Sequence, residues 1–249
     1  MRINGLLKKI VTGFGRNLFL IPFFFTFANA ILGLLSVFKT LNSEYAVAAY
    51  CILLAAFMDG LDGRLARALN SCTVLGMELD SLSDAISFCV APVVLLYSWE
   101  LQDFGTLGFI VLAVYLCAGL FRLAKFNIIS KDQSNFFLGL PTPIAAFFLT
   151  NIVLYHDWIS QNKVAHLLLE KNVLFVFVVL ISFLMVSKIK FPTFKNKSSR
   201  VAILPFLIIG LLCILLRYPF FLLIPFLYIL SGFTKGCYFR AKQILASRF

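Results

Sequence analysis

Long apolar runs separated by short polar stretches dominate the chain from residue 18 onward. Eight segments can be drawn: Leu18–Phe38, Tyr45–Leu69, Cys72–Tyr97, Thr106–Phe126, Pro143–Tyr155, Val173–Val186, Val201–Leu216 and Phe220–Phe233. Within them the apolar residues run on continuously and do not alternate with period two. That pattern predicts helices, not the strands of a closed barrel. A helix needs about 20 residues to cross the hydrocarbon core of a bilayer. The fifth and sixth segments fall short of this, and only Arg217, Tyr218 and Pro219 separate the last two. The expectation is an all-α polytopic membrane protein of about eight transmembrane helices, with six or seven full crossings as the lower count. Ahead of the first run, Leu6, Leu7, Ile10 and Phe14 recur at helical spacing beside Lys8, Lys9 and Arg16. Residues 1–17 therefore read as an amphipathic helix lying in the membrane interface.

Composition turns this pattern into an exclusion. Of the 249 residues 61% are hydrophobic and only 13% charged, and the mean hydropathy is +0.96. A soluble domain carries about 45–50% apolar and about 25% charged residues, so neither a soluble globular enzyme nor a disordered chain fits. The net charge of +11 reads as attraction to anionic lipid and as positive-inside bias rather than as nucleic-acid binding. With the N-terminus placed in the cytoplasm, 18 of the 22 Lys and Arg fall on the inner side, and only Lys39, Lys163, Lys171 and Arg217 on the outer. That asymmetry supports an even number of spans and a multi-pass protein of the inner, cytoplasmic membrane. The six cysteines contain no CxxC pair and lie mostly in apolar runs, so packing is their expected role. His156 and His166 are expected in a polar loop, leaving little material for a histidine-based site.

The chemistry concentrates between Asp59 and Asp84. Asp59, Asp62, Asp80 and Asp84 fall at or inside the ends of two apolar segments. Each carboxylate costs about 2.5–3.5 kcal/mol near a helix centre on an insertion scale. Asp59 and Asp62 are spaced i, i+3, and Asp80 and Asp84 i, i+4, so each pair shares a helix face. A turn near Asn70–Ser71 would make the two helices antiparallel neighbours and bring all four carboxylates to one site. They cannot all ionise there without cations. Hard oxygen ligands suit Mg²⁺, Mn²⁺ or Ca²⁺ rather than zinc. Two such ions about 3.5–4 Å apart would clamp phosphoryl oxygens. Gly63, Ala66 and Gly76 leave room for a ligand or a helix backbone to approach. Arg64 and Arg67 offer guanidinium groups to phosphate. Interhelical Asp–Arg pairing is the plain alternative, and Glu78 lies off the Asp80/Asp84 face, toward solvent.

These residues, Asp59-x2-Asp62-Gly63-x2-Ala66-Arg67-x8-Gly76-x3-Asp80-x3-Asp84, resemble the signature of the CDP-alcohol phosphatidyltransferase family at every fixed position. Other stretches resemble its membrane-integral phosphatidylserine synthase branch. They are Ile21-Pro22 with Thr26, Asn29, Gly33 and Ser36, the segment Arg122–Asn127, the segment Gly139–Ala146, and the basic stretch from Ser187 to Lys195. The chain departs from that branch at Phe23, where an Asn commonly follows the Pro. The resemblance spans roughly Ile21–Lys195.

The resemblance implies a homodimeric transferase of phospholipid biosynthesis. Residues 18–200 would form a six-helix core, and residues 201–249 two further membrane helices and a basic tail. Asp59, Asp62, Asp80 and Asp84 would hold Mg²⁺ or Mn²⁺, two ions in all, with Asp84 also the general base. Gly63, Ala66, Arg67 and Gly76 would line the pocket for the CDP part of CDP-diacylglycerol, on a site open to the cytoplasm. Thr26 and Asn29 would reach either the nucleotide or a neighbouring helix. Arg122, Lys125 and Lys188 are candidates for the acceptor or the lipid phosphate. The acceptor implied is L-serine, giving phosphatidylserine and CMP. Glycerol 3-phosphate or inositol phosphate would attract the same cations. A non-enzymatic divalent-cation transporter is the rival from another class, but it gives no reason for Arg67 or the x8 spacing. An intramembrane prenyltransferase would need two Asp-rich motifs far apart in sequence.

Overall fold

The computed structural model describes residues 20–69, 71–129, 136–160, 171–187 and 189–192. Residues 1–17, expected as an interfacial helix, Lys188, and the last two apolar segments lie outside these residues. The helices are α1 (Leu20–Leu41), α2 (Tyr45–Ala68), α3 (Val74–Asp84), α4 (Ala91–Trp99), α5 (Thr106–Ile129), α6 (Thr142–Ser160) and α7 (Lys171–Val186). A π-helical turn, Ala85–Val90, joins α3 to α4 without a break, and a 3₁₀ turn, Leu101–Phe104, leads into α5. Four helices are long and apolar enough to cross a membrane: α1, α2, α3 through α4, and α5, with 22 to 26 residues each. At 1.5 Å per residue, 22 residues reach about 33 Å, the thickness of a hydrocarbon core. The helices α6 and α7 contribute shorter apolar stretches. The chain is a multi-pass membrane protein, and six of the eight expected segments appear as helices, with ends within three residues of expectation except that α6 runs five residues further, to Ser160.

α1 shows how such a bundle packs without help from water. Its buried residues are Pro22, Thr26, Asn29, Gly33, Ser36 and Thr40, while Phe24, Phe27, Ile31, Leu34 and Phe38 are exposed. Lipid is as apolar as Phe or Leu, so the large side chains gain nothing by leaving it. Small and polar residues at steps of three and four let helices approach and hydrogen-bond. α1 packs most extensively along α2 and also contacts α3, α4 and the π-helical turn. The apolar core lies behind it, between Ala48, Ile52 and Ala55 of α2, Leu95 and Leu96 of α4, Tyr115 of α5 and Leu149 of α6.

Several expectations need correction. The helices α2 and α3 are not close antiparallel neighbours: α3 packs on α1 and α5 and has little direct backbone contact with α2. His156 is not in a loop but in α6, edge-to-face on Trp99 with centroids 5.2 Å apart. Cys51 and Cys89 are buried, whereas Cys72 and Cys117 are exposed, so core packing holds for only two of the four described. One short ribbon accompanies the helices of this all-α fold. Phe136–Leu138 (β1) and Lys190–Pro192 (β2) pair antiparallel, Phe137 opposite Phe191. The ribbon joins the start of α6 to the end of α7. The Gly139 N–H donates to Ile189 O at 2.9 Å, and Leu140 N–H to Leu184 O at 3.0 Å. Gly139 has φ of 78°, and a Cβ there would sit 2.2 Å from Met185 O. Only glycine takes that turn at such close approach.

The π-helical turn begins one residue after Asp84 and widens the helix there. Pro92 has no N–H for the carbonyl of Phe88 four residues earlier, and the Tyr115 hydroxyl donates to that carbonyl at 3.0 Å. Gly33 and Gly119 accommodate the widened turn: a Cβ at Gly33 would lie 2.4 Å from Ser87 Oγ, and one at Gly119 2.5 Å from Cys89 Sγ.

Candidate active site

α1 and α2 run antiparallel, so the start of α1 meets the end of α2. There Thr26, fully inside the bundle, donates its hydroxyl to Asp62 Oδ2 at 2.7 Å. Asp59, Asp62 and Asp80 each present one oxygen within 4.8 Å of the others. Asp62 is 3% exposed, Asp84 7%, and Asp59 and Asp80 are half-buried. Asp84 stands outside this close trio, one turn deeper along α3, and its Oδ1 accepts from Asn29 Nδ2 at 3.1 Å. The carboxylate side chains thus meet although the backbones of α2 and α3 stay apart.

Among the described residues none of these carboxylates takes part in an ion pair. The ion pairs among those residues join Lys39 to Glu44 and Lys171 to Glu100 and Asp103, all at the opposite end of the bundle. Asp80 Oδ1 is buried with no hydrogen-bond partner. A buried, unpaired carboxylate oxygen is costly. Three carboxylates within 4.8 Å, with one oxygen orphaned, fit a divalent cation with hard oxygen preference.

Around the trio the remaining candidates separate. Gly63 faces open space: an added Cβ would meet only the Arg67 guanidinium, at 3.5 Å. Arg67 is exposed and Arg64 and Ala66 are half-buried. Gly76 is different, because a Cβ there would press on Thr73 Oγ1 at 3.1 Å and the Phe23 ring at 3.3 Å. Its smallness serves the packing of α3 on α1 and the N-cap, where Thr73 Oγ1 accepts from the Gly76 N–H at 3.0 Å. Thr26 and Asn29, expected at the nucleotide or a neighbouring helix, both bond to carboxylates of the neighbouring helices. Arg122 is 8% exposed. Its Nη1 donates to Thr142 Oγ1 at 2.7 Å, and the guanidinium carbon lies 5.9 Å from the Phe126 ring centroid. Lys125 is half-buried one turn further along α5.

Some contacts were not foreseen. Asn127 bridges both sides of Asp80, accepting from Ser81 Oγ at 3.0 Å and donating to Glu78 Oε2 at 3.2 Å. Glu78 is exposed, as expected, but ties α3 to the end of α5. Thr142 as the seat of Arg122, and Ser87 donating to Asn29 O at 2.8 Å, depend on pairings 20 and 58 residues apart. Asn127 and Thr142 do fall within the segments 122–127 and 139–146 singled out above, though no role was legible for either.

The comparison with known families settles the class. The family model described as CDP-alcohol phosphatidyltransferase matches residues 19–230. The chain belongs to the CDP-alcohol phosphatidyltransferase family. It is therefore a transferase enzyme. Similar curated proteins include a CDP-diacylglycerol–serine O-phosphatidyltransferase of Helicobacter pylori (strain ATCC 700392 / 26695), 34% identical over 231 residues, 91% of this chain and 95% of that one. A protein of the same name from Bacillus subtilis (strain 168) is 35% identical over 179 residues, 72% of this chain and 93% of its own. An archaetidylserine synthase of Methanothermobacter thermautotrophicus is 31% identical over 184 residues, 73% of each chain. In this CDP-alcohol phosphatidyltransferase the family signature occupies the end of α2, the turn after it, and α3, where the carboxylates meet.

Proposed function

We propose that the protein transfers the phosphatidyl group of CDP-diacylglycerol to the hydroxyl of L-serine, giving phosphatidylserine and CMP. The observation that carries the chemistry is the Asp59–Asp62–Asp80 trio beside a separately held Asp84. The names of the three relatives above carry the choice of serine.

In this reading Asp59, Asp62 and Asp80 would hold Mg²⁺ or Mn²⁺, and Asp84, one turn further along α3, would share in a two-ion site. Bound divalent ions would supply positive charge to the diphosphate and to the departing CMP. Gly63 and Ala66 leave the space into which the CDP moiety fits, and Arg67 offers a fork to its phosphate oxygens. Asp84 takes the proton of the serine hydroxyl through the oxygen that Asn29 does not occupy. The serine oxygen then bonds to the lipid-side phosphorus as the bond from that phosphorus to CMP breaks. Arg122, seated on Thr142, and Lys125 and Lys188 are the cations for the serine carboxylate or the lipid phosphate. The acyl chains stay in the bilayer throughout. The enzyme works as a homodimer with its N-terminus and site on the cytoplasmic side of the inner membrane. The placement of Arg64, Arg67, Arg122 and Lys125 at the site end and Lys39 and Lys171 at the other supports that orientation.

The test is CMP release by the purified full chain in detergent, with CDP-diacylglycerol and each candidate acceptor in turn. Serine-dependent release, abolished by chelation and lowered at least a hundredfold by Asp84→Asn, is the expected result, a general base being worth about 10²–10⁴. Release with glycerol 3-phosphate or inositol phosphate instead would overturn the acceptor. Divalent-ion binding without CMP release from any acceptor would overturn the transferase mechanism.

A further inference from the structure

We propose that α1 is the positioning element of the centre, Thr26 acting through Asp62 and Asn29 through Asp84. This rests on the metal-dependent transfer proposed above, and it replaces nucleotide contact as the role of both residues.

The two side chains sit one turn apart on the same buried face of α1, Thr26 at 4% and Asn29 at 0% exposure. Both are enclosed within the bundle, and each hydrogen-bonds a carboxylate of a neighbouring helix. The Thr26 hydroxyl has one proton and gives it to Asp62 Oδ2 at 2.7 Å, and it also lies 3.1 Å from Pro22 O. That bond fixes the rotation of the Asp62 carboxyl group. Asn29 meets Asp84 with its Nδ2, since a carboxylate can only accept, and its own Oδ1 is buried without a partner. Leaving that carbonyl unpaired is a cost the fold tolerates to keep the amide on Asp84. The backbone is pinned at the same point, because Ser87 Oγ donates to Asn29 O at 2.8 Å and Gly33 lets the π-helical turn come that close. One oxygen of each carboxylate is thus held by α1, which leaves the other for the chemistry.

The two residues therefore have separable effects. Thr26→Val keeps the shape and removes the hydroxyl. It is expected to weaken Mn²⁺ binding, measured by electron paramagnetic resonance on the full chain without substrate, by about 10–100-fold, the usual effect of losing a group that orients a ligand. Thr26→Ser should restore binding to within about threefold. Asn29→Leu should keep Mn²⁺ binding at the Asp59–Asp62–Asp80 trio, weakening it only for the ion that Asp84 shares, and keep its KM for CDP-diacylglycerol, while kcat falls by about a hundredfold for a misaligned base. If Thr26→Val does not give folded protein, Thr26→Ala serves in its place. Unchanged Mn²⁺ binding in Thr26→Val, with binding lost in Asp62→Asn, would overturn the positioning role and leave the metal centre standing. A raised KM with unchanged kcat in Asn29→Leu would return Asn29 to the nucleotide. Equal Mn²⁺ binding by the unaltered chain and Asp62→Asn would instead overturn the metal centre itself.

Discussion

Gly33→Ala is the sharpest probe of the link between packing and site. A Cβ at Gly33 would sit 2.4 Å from Ser87 Oγ, 2.7 Å from Ser87 Cα and 3.0 Å from Ser87 Cβ. Non-bonded carbons rest about 3.5–4.0 Å apart, so α1 and the π-helical turn must separate by about 1 Å. All three clashing atoms belong to Ser87, which is held by its own bond to Asn29 O at 2.8 Å, and its Cα cannot rotate away. Overpacking of this kind costs about 1–3 kcal/mol. The displacement also falls on the Asn29–Asp84 bond of 3.1 Å, and a misplacement of about 1 Å lowers rates by about a hundredfold. The measurements are thermal unfolding in detergent, followed by tryptophan fluorescence, and CMP release. Both melting temperature and kcat should fall, and adding Ser87→Gly, which removes Oγ and Cβ, should recover part of each. A Gly33→Ala protein that melts and turns over like the parent would refute the close approach on which this reasoning stands.

Two further predictions use the same measurements. Gly63→Ala should fold normally or gain up to about 1 kcal/mol from helix propensity, since its Cβ meets only the Arg67 guanidinium at 3.5 Å, yet turnover should fall at least tenfold because the CDP moiety occupies that space; unchanged turnover would move the nucleotide elsewhere. Tyr115→Phe should cost about 1–3 kcal/mol by leaving the Phe88 carbonyl without its 3.0 Å donor inside the bundle, and an unchanged melting temperature would show that another group satisfies that carbonyl.

The sequence by itself determined the class of the molecule and singled out four carboxylates as its candidate reactive residues. Continuous apolar runs leave a chain no option but to close its backbone hydrogen bonds within helices, so six of the eight expected segments are helical among the described residues. The four Asp were legible because charge inside apolar helix ends is unfavourable enough to demand a reason. The tertiary structure decided how they are used. That Asp59, Asp62 and Asp80 form the trio while Asp84 stands apart on Asn29 depends on α1, a helix with no carboxylate of its own. The buried stripe of Thr26, Asn29, Gly33 and Ser36 shows helical spacing in the sequence, but spacing cannot say which neighbour a stripe meets. The π-helical turn, the ribbon between β1 and β2, and the seat of Arg122 on Thr142 were hidden for the same reason. Each pairs residues 20 to 58 positions apart through hydrogen bonds and close approaches that local periodicity does not encode.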